Sequence, residues 1–501
     1  MIRGPARRVM SNPPVLALKL KSPMKPVVVW FRQDLRLSDQ RALAAAVATG
    51  APVIPLYILD DISPQSWRMG GASRWWLDKS LSALGKSLEE LGGRLILRSG
   101  EAVSVLTSIA HETSTAGVYT QAAYEPWASA VETRAHAALG LHGVALKRYP
   151  GAVLKRTESL RTKAGEPYKV YSPFWRALVA SGPPAEPLPA PAKLSAPATW
   201  PKSEALSSWG LHPTKPDWSR GMAEVWTPGE AGAHQRLDTF LQSGIGDYHD
   251  DRNRPDRPGT SRLSPHLHFG EISPAQCWHA AVMRGDDGGG LGLETFLKEL
   301  AWRDFAVHLL VHWPSLPEAP FKPAFARFPW ASDAAALKAW QLGRTGYPIV
   351  DAGMRELWHT GYMHNRVRMI VASFLIKDLL IPWQSGQAWF WDTLLDADLA
   401  SNAASWQWVA GCGADAAPYF RIFNPVTQGA KFDPEGSYVR RWVPELSKLP
   451  AATIHAPWQA SALELKVAGV TLGVTYPHPI VDHAAARERA LAALASLKSD
   501  A

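Results

Sequence analysis

A chain of 501 residues with 46% hydrophobic and 20% charged content is long enough for two or three domains with substantial cores, and no apolar run reaches the roughly 18–20 residues that a membrane span needs. The formal charge of +8 and a pI near 9.3 invite a nucleic-acid reading, but Arg3, Arg7, Arg8, Lys19, Lys21 and Lys25 fall in a start without acids, leaving +2 for the rest, so only local basic clusters count. Cys277 and Cys412 are the only cysteines, which excludes a disulfide framework and a four-cysteine iron–sulfur cluster and fits a reducing, cytoplasmic setting.

Residues 1–25 read as a disordered basic extension: Val15–Leu20 is too short and too broken by Lys19 for a signal peptide. From Val27 the chain alternates β-branched runs (VVVWF, PVIPLYIL, RLILRSG, GVYTQAAY, GVALKRYPG) with helix-length amphipathic stretches. That alternation predicts an α/β domain over 26–150 with a doubly wound, Rossmann-like parallel sheet. No GxGxxG follows the first strand, so no ordinary dinucleotide site is expected. Asp34 and Arg36 read as loop charges, and Glu125, beside Tyr124, as a helix-start carboxylate.

An interdomain linker is expected over 151–232, where the pattern dissolves into Pro, Ala and Ser from Ser181 on. Trp200, Trp209, Trp218 and Trp226 suggest that parts of it are pinned to the surface. Residues 233–501 read as all-α, with the clearest helices in ISPAQCWHAAVMRG, ETFLKELAWRDFAVHLLVHW, PIVDAGMRELWHTG, NRVRMIVASFLIKDLL and ARERALAALASL. Of 23 tryptophans, twelve follow Thr295, which is either a bulky core or a set of redox and stacking groups.

The chemistry gathers in this second half. Thr260, Ser261, Arg262, Leu263 and Ser264 precede Pro265, a residue suited to a first helical turn; hydroxyls and free N–H groups there can hold an anion, or simply cap the helix. In KELAWRDF, Glu299, Trp302 and Arg303 stand at i, i+3 and i+4 and share a helical face. A carboxyl beside an indole offers a nucleobase an edge and a plane, the alternative being an exposed Glu–Arg pair beside a core tryptophan. The same spacing joins Asn365, Arg368 and Met369 in YMHNRVRMI, with Arg366 on a neighbouring face. Asp396, Asp398, Asn402, Trp406 and Trp408 are crowded together although each polar group needs a partner if buried. A helix from about Ser401 points Trp406 and Trp408 to opposite faces, one inward and one along a cavity. No metal site is expected.

These strings resemble the DNA photolyase and cryptochrome family, and the likeness runs over nearly the whole chain after Lys25. The resemblance implies an antenna domain joined by a long linker to an all-α FAD-binding domain, and FRQDLRLSD is similar to the family's opening signature. It implies that Tyr248 and Thr260–Ser264 hold the FAD diphosphate, that Arg368 pairs with Asp396 beside the isoalloxazine, that Asp398 meets the ribose and that Asn402 faces flavin N5. Glu299 is implied to bond the damaged base, Trp302 and Trp408 to wall it and Met369 to touch it. Asn365 and Arg366 would reach substrate or phosphates, and Arg303 is counted with them. Trp406, Trp383 and Trp330 match a relay carrying electrons from the surface to the flavin. Trp389 and Trp391 offer a branch of it or fill the core. Tyr124 and Glu125 stand where several members hold a folate antenna.

The activity implied is repair of cyclobutane pyrimidine dimers in DNA, by light-driven electron transfer from reduced, anionic FAD to a flipped-out dimer. SPHLHFGEIS is closer to plant cryptochromes and class III bacterial photolyases than to the best-known bacterial enzymes, a resemblance that implies a 5,10-methenyltetrahydrofolate antenna. A monomer is expected, with DNA as partner and no membrane. The rivals are a blue-light receptor, repair of another photolesion, a single-strand-specific cryptochrome and a generic flavin oxidoreductase. Asn402, Glu299 and Met369 weigh against the receptor: plant cryptochromes usually carry aspartate and animal ones cysteine at the position of Asn402.

Overall fold

The computed structural model of the chain describes residue 4 and residues 24–285, 290–415 and 420–499; the extension expected over 1–25 lies, apart from residues 4, 24 and 25, outside them. Val27–Phe31 (β1), Val53–Leu59 (β2), Ile96–Ser99 (β3), Gly117–Gln121 (β4) and Ala145–Tyr149 (β5) form one parallel sheet in the order β3-β2-β1-β4-β5. Every residue of β1 and β4 is buried, as expected where crossover helices cover both faces. The edge strand β5, ALKRY, is largely exposed. Strand order reverses between β1 and β4, so their carboxyl ends open the crevice in which doubly wound sheets take ligands.

Residues 151–232 are only partly the extended linker that composition predicts. Helix Tyr171–Ala180 carries Tyr171, Phe174 and Leu178 on one face and buries them. Phe174 packs on Phe305 with ring centroids 5.2 Å apart, and the Leu154 N–H donates to Asp304 Oδ2 at 2.7 Å. The first thirty residues of the connection therefore belong to the helical core. Beyond Ser181 the chain runs over the α/β domain, pinned by backbone bonds from Leu194 N to Leu91 O and from Glu204 N to Leu97 O. Trp226 is the firmest pin, 4% exposed and donating from Nε1 to Thr360 O at 2.9 Å.

From Glu230 onward the described residues are helical, without a named strand. Among them no helix is long and apolar enough to cross a membrane, and no group of three or more His, Cys, Asp or Glu side chains is placed to hold a metal ion.

The two domains meet along a polar seam. Arg36, 1% exposed, donates to Gly270 O at 2.8 Å, and the Leu35 N–H donates to Phe269 O at 3.1 Å. Asp34 is buried as well and accepts from Gln40 Nε2 at 2.5 Å. Neither residue is the solvated loop charge that the sequence suggests. Gly270 has φ +64°, and a Cβ there would lie 2.1 Å from Gln33 O, so the close approach requires glycine. Glu271 takes three donors at this seam: Trp76 Nε1 at 2.9 Å, Gly229 N at 2.7 Å and His266 Nδ1 at 2.5 Å. FRQDLRLSDQ and SPHLHFGEIS, far apart in the chain, are thus halves of one joint.

Candidate functional site

One cavity of about 540 Å³ opens in the helical domain, within the range of small-molecule sites. Tyr248 and the run Thr260–Ser264 form one wall. Helix Gly290–His312 adds Glu299, Trp302 and Arg303; helix Asn365–Ser373 adds Asn365, Arg368 and Met369. Asp396, Asp398 and, from helix Leu399–Ala410, Asn402, Trp406 and Trp408 complete it.

The floor is built around Asp398, whose side chain accepts from Ser401 N at 2.7 Å and caps helix Leu399–Ala410, two residues before the start read from the alanines. The cap fixes the turn that presents Asp396 on one side and Asn402 on the other. Asp396 Oδ2 accepts from Arg368 Nη2 at 2.8 Å, while Oδ1 has no hydrogen-bond partner among the described residues. Asn402 Nδ2 donates to Gln387 O at 3.1 Å, which turns its carbonyl oxygen away from that contact. Arg262 has φ +51°, strained for a side chain larger than glycine; its guanidinium lies between the rings of Trp226 and Tyr362, at 4.7 and 4.8 Å, and its Nε has no hydrogen-bond partner among the described residues.

At the mouth, Glu299 pairs with Arg252 Nη1 at 2.8 Å. Burial raises the pKa of Glu299, with Arg252 opposing the rise, so the carboxyl is held toward the form that can donate as well as accept. Trp302 lies flat against Tyr171, with centroids 3.6 Å apart and planes 7° apart. Tyr171 is itself fixed, donating from its hydroxyl to Lys298 O at 2.7 Å and from its N–H to Asp415 Oδ2 at 2.8 Å. The sequence reading missed both Arg252 and Tyr171. Arg252 stands four residues after Tyr248, with its guanidinium 5.9 Å from that ring, a spacing that could have found it. Tyr171 sits in what composition presents as linker.

Other expected residues are placed differently. Arg303 does not join Glu299 at the mouth: its guanidinium bonds Ala152 O at 2.5 Å and Leu267 O at 3.4 Å on the side of the α/β domain. Arg366 bonds Asn253 and lies 4.5 Å over the Phe432 ring, outside the cavity lining. Tyr124 and Glu125 lie in the crevice beyond β4, where Arg303, Val307 and Leu310 of the helical domain leave about 30 Å³. That is room for about two waters, so a folate at this pair would have to lie across the mouth of the crevice. Glu125 does begin a helix, without a side-chain cap bond, and burial raises its pKa.

Trp406 and Trp383 are 2% and 1% exposed, and Trp330 is half-buried at the edge of the same core. Trp406 rests on Gly386 of helix Trp383–Thr393, where a Cβ would lie 2.1 Å from its ring. Gly386→Ala is expected to displace the indole and to cost about 1–3 kcal/mol of stability, readable by urea unfolding and by the emission of Trp406. Trp389 stacks on the exposed Trp358 with planes 7° apart, and Trp391 packs edge-on against Trp67.

Comparison with known proteins adds to this geometry. A family model described as the FAD binding domain of DNA photolyase matches residues 296–496, and one described as DNA photolyase matches residues 27–192. The chain is 53% identical over 473 residues to deoxyribodipyrimidine photo-lyase of Agrobacterium fabrum, across 94% of this chain and 98% of that protein. It is 39% identical over 477 residues to cryptochrome-1 of Arabidopsis thaliana, across 92% of this chain and 69% of that one. Its fold matches the crystal structure of a bacterial class III photolyase from Agrobacterium tumefaciens with a TM-score of 0.93 at 52% identity, covering 96% of this chain and all of that one.

Proposed function

Because this chain belongs to the DNA photolyase family and acts as a deoxyribodipyrimidine photo-lyase, we propose that its cavity is divided between FAD at the floor and a flipped-out pyrimidine dimer at the mouth. Bound there, reduced FAD would supply, on excitation by light, the electron that opens the cyclobutane ring and would take it back from the separated pyrimidines. The donor set fits that cofactor. Asp396 Oδ1 and Arg262 Nε are buried and lack partners among the described residues, and the hydroxyls of Thr260, Ser261 and Ser264 stand with Tyr248 along the wall that would take the diphosphate. Asn402, its amide N–H₂ held by Gln387 O, keeps a carbonyl oxygen to accept from a flavin N–H. Arg368 balances Asp396 and holds positive charge where an anionic cofactor would lie.

At the mouth, Glu299 meets the edge of the base, Trp302 and Trp408 its faces, and Asn365 and Met369 the opposite rim. Flipping the lesion costs little because a damaged base is already poorly stacked. Arg252 and Arg366 lie toward the DNA backbone, so binding should weaken with salt while tolerating any sequence. Trp330, Trp383 and Trp406 serve to bring electrons in from the surface. The working unit in this proposal is one chain in the cytoplasm.

A single observation carries the reading: Arg368–Asp396 and Asn402 form the floor of the cavity that has Glu299 and Trp302 at its mouth. The test is repair of a duplex holding one thymine dimer, with reduced protein, in light and in darkness. Repair in light alone supports it; no repair with FAD bound and reduced would move the argument to another lesion or to signalling. Tyr171→Leu removes the ring that holds Trp302 flat, and should weaken dimer binding about two- to tenfold, the worth of one aromatic pair. Repair per bound dimer should stay unchanged, as single-turnover measurement would show.

The antenna we propose is 5,10-methenyltetrahydrofolate, on the likeness to a class III photolyase. Mass spectrometry of the chromophores released by denaturing the purified protein decides it.

A further inference from the structure

The string SPHLHFGEIS holds two histidines that the structure puts to different uses. His266 is committed to the domain seam through Glu271. His268 ends the same short helix, Ser264–His268, is 6% exposed and lines the cavity. Its side chain forms no hydrogen bond with any described residue. Nδ1 is fully enclosed and partnerless, whereas Nε2 is not among the enclosed atoms. The ring's remaining exposure therefore falls on its Nε2 side, toward the cavity.

The position of the proton follows from this. Burial lowers the His268 pKa, against the pull of Asp398 and Asp396, with Arg303 adding to the fall, so the imidazole is neutral. A neutral ring has one N–H and one lone pair. An enclosed N–H without an acceptor is rarer than an enclosed acceptor without a donor, which assigns the lone pair to Nδ1 and the proton to Nε2. The cavity is thus offered a hydrogen-bond donor that no described residue uses. The charged neighbours that act on the ring are Asp398, Asp396 and Arg303. Asp398 and Asp396 are floor residues and Arg303 turns away from the mouth, and Glu299 and Arg252 of the mouth are not among them.

We propose that His268 is a further FAD-binding residue, donating from Nε2–H to a carbonyl or hydroxyl oxygen of the cofactor. This rests on the reading of the floor as the FAD site. The test is the affinity of FAD-free protein for added FAD, followed by flavin fluorescence, in the unaltered chain and in H268L, H268Q and H268N. Glutamine can set an N–H where Nε2 lies, whereas asparagine sets its amide near the enclosed Nδ1. H268L and H268N are expected to bind FAD about tenfold more weakly, the worth of one hydrogen bond, and H268Q to stay within about threefold of the unaltered chain. FAD binding by H268L as tight as by the unaltered protein would overturn the proposal, as would equal weakening in H268L and H268Q, which signals packing alone. If H268L fails to fold, the contrast of H268Q with H268N decides in its place. No uptake of FAD by the unaltered chain would instead overturn the reading of the floor, and His268 with it.

Discussion

Glu299→Ala is expected to leave FAD bound at full occupancy while lowering the affinity for dimer-containing DNA by about 10- to 100-fold. The size follows from what the carboxyl can do at the mouth. Among the described residues it has one partner, Arg252 at 2.8 Å, so one of its oxygens remains for the substrate. Desolvation shifts it toward the neutral acid, which can donate to a carbonyl of the base as well as accept from a ring N–H. A hydrogen bond of this kind, to a group that can carry charge, contributes roughly 1.5–3 kcal/mol. Removing it also deprives Arg252 of the carboxyl it bonds at 2.8 Å, beside an incoming pyrimidine. Glu299→Gln keeps both a donor and an acceptor and should recover most of the loss. The measurement is repair at limiting dimer concentration beside the flavin absorbance of the same sample; undiminished repair in Glu299→Ala would refute the substrate role.

Arg368→Leu should act on the cofactor rather than the lesion, and on the fold as well. Asp396 is buried, with its side chain 5% exposed, and the Arg368 guanidinium at 2.8 Å is its only ion-pair partner among the described residues. Breaking a buried pair by removing one member typically costs 3–5 kcal/mol because the other charge is stranded. Arg368→Leu is therefore expected to unfold at markedly lower denaturant and to purify with little FAD. Adding Asp396→Asn removes the stranded charge and should restore most of the stability while FAD stays weakly held. Recovery of both together would mean that the pair is structural and not part of the flavin site.

Residues differ in how far their neighbours in the chain reveal them. The sheet was legible because its central strands β1 and β2 are short apolar runs and the strands are set off by helix-length stretches, and parallel order follows from that alternation. The floor was legible because Asp396, Asp398 and Asn402 lie within one turn-and-helix unit, where spacing in the chain translates directly into geometry. Tyr171 was not, since its partner Trp302 lies on another element and the segment around it looks like linker. Arg36 was hidden for a similar reason: one of the carbonyls that satisfy it in the interior belongs to Gly270, more than two hundred residues on. Arg303 shows the limit of helical spacing. It shares a face with Glu299, yet its long side chain turns back to carbonyls that spacing along one helix cannot foresee.

The seam also bears on how such a chain can vary. Arg36 with Gly270, and Trp76 with Glu271, tie the first domain to the second through side chains that neither half satisfies alone. Cut at the connection, each half would expose buried polar atoms evolved for the other, so the two domains form one heritable unit rather than exchangeable modules. A chimera that takes its first domain from a relative should fold only if the partner strings FRQDLRLSDQ and SPHLHFGEIS come from the same parent, which makes these two strings, and not the proline-rich stretch between the domains, the true boundary for recombination.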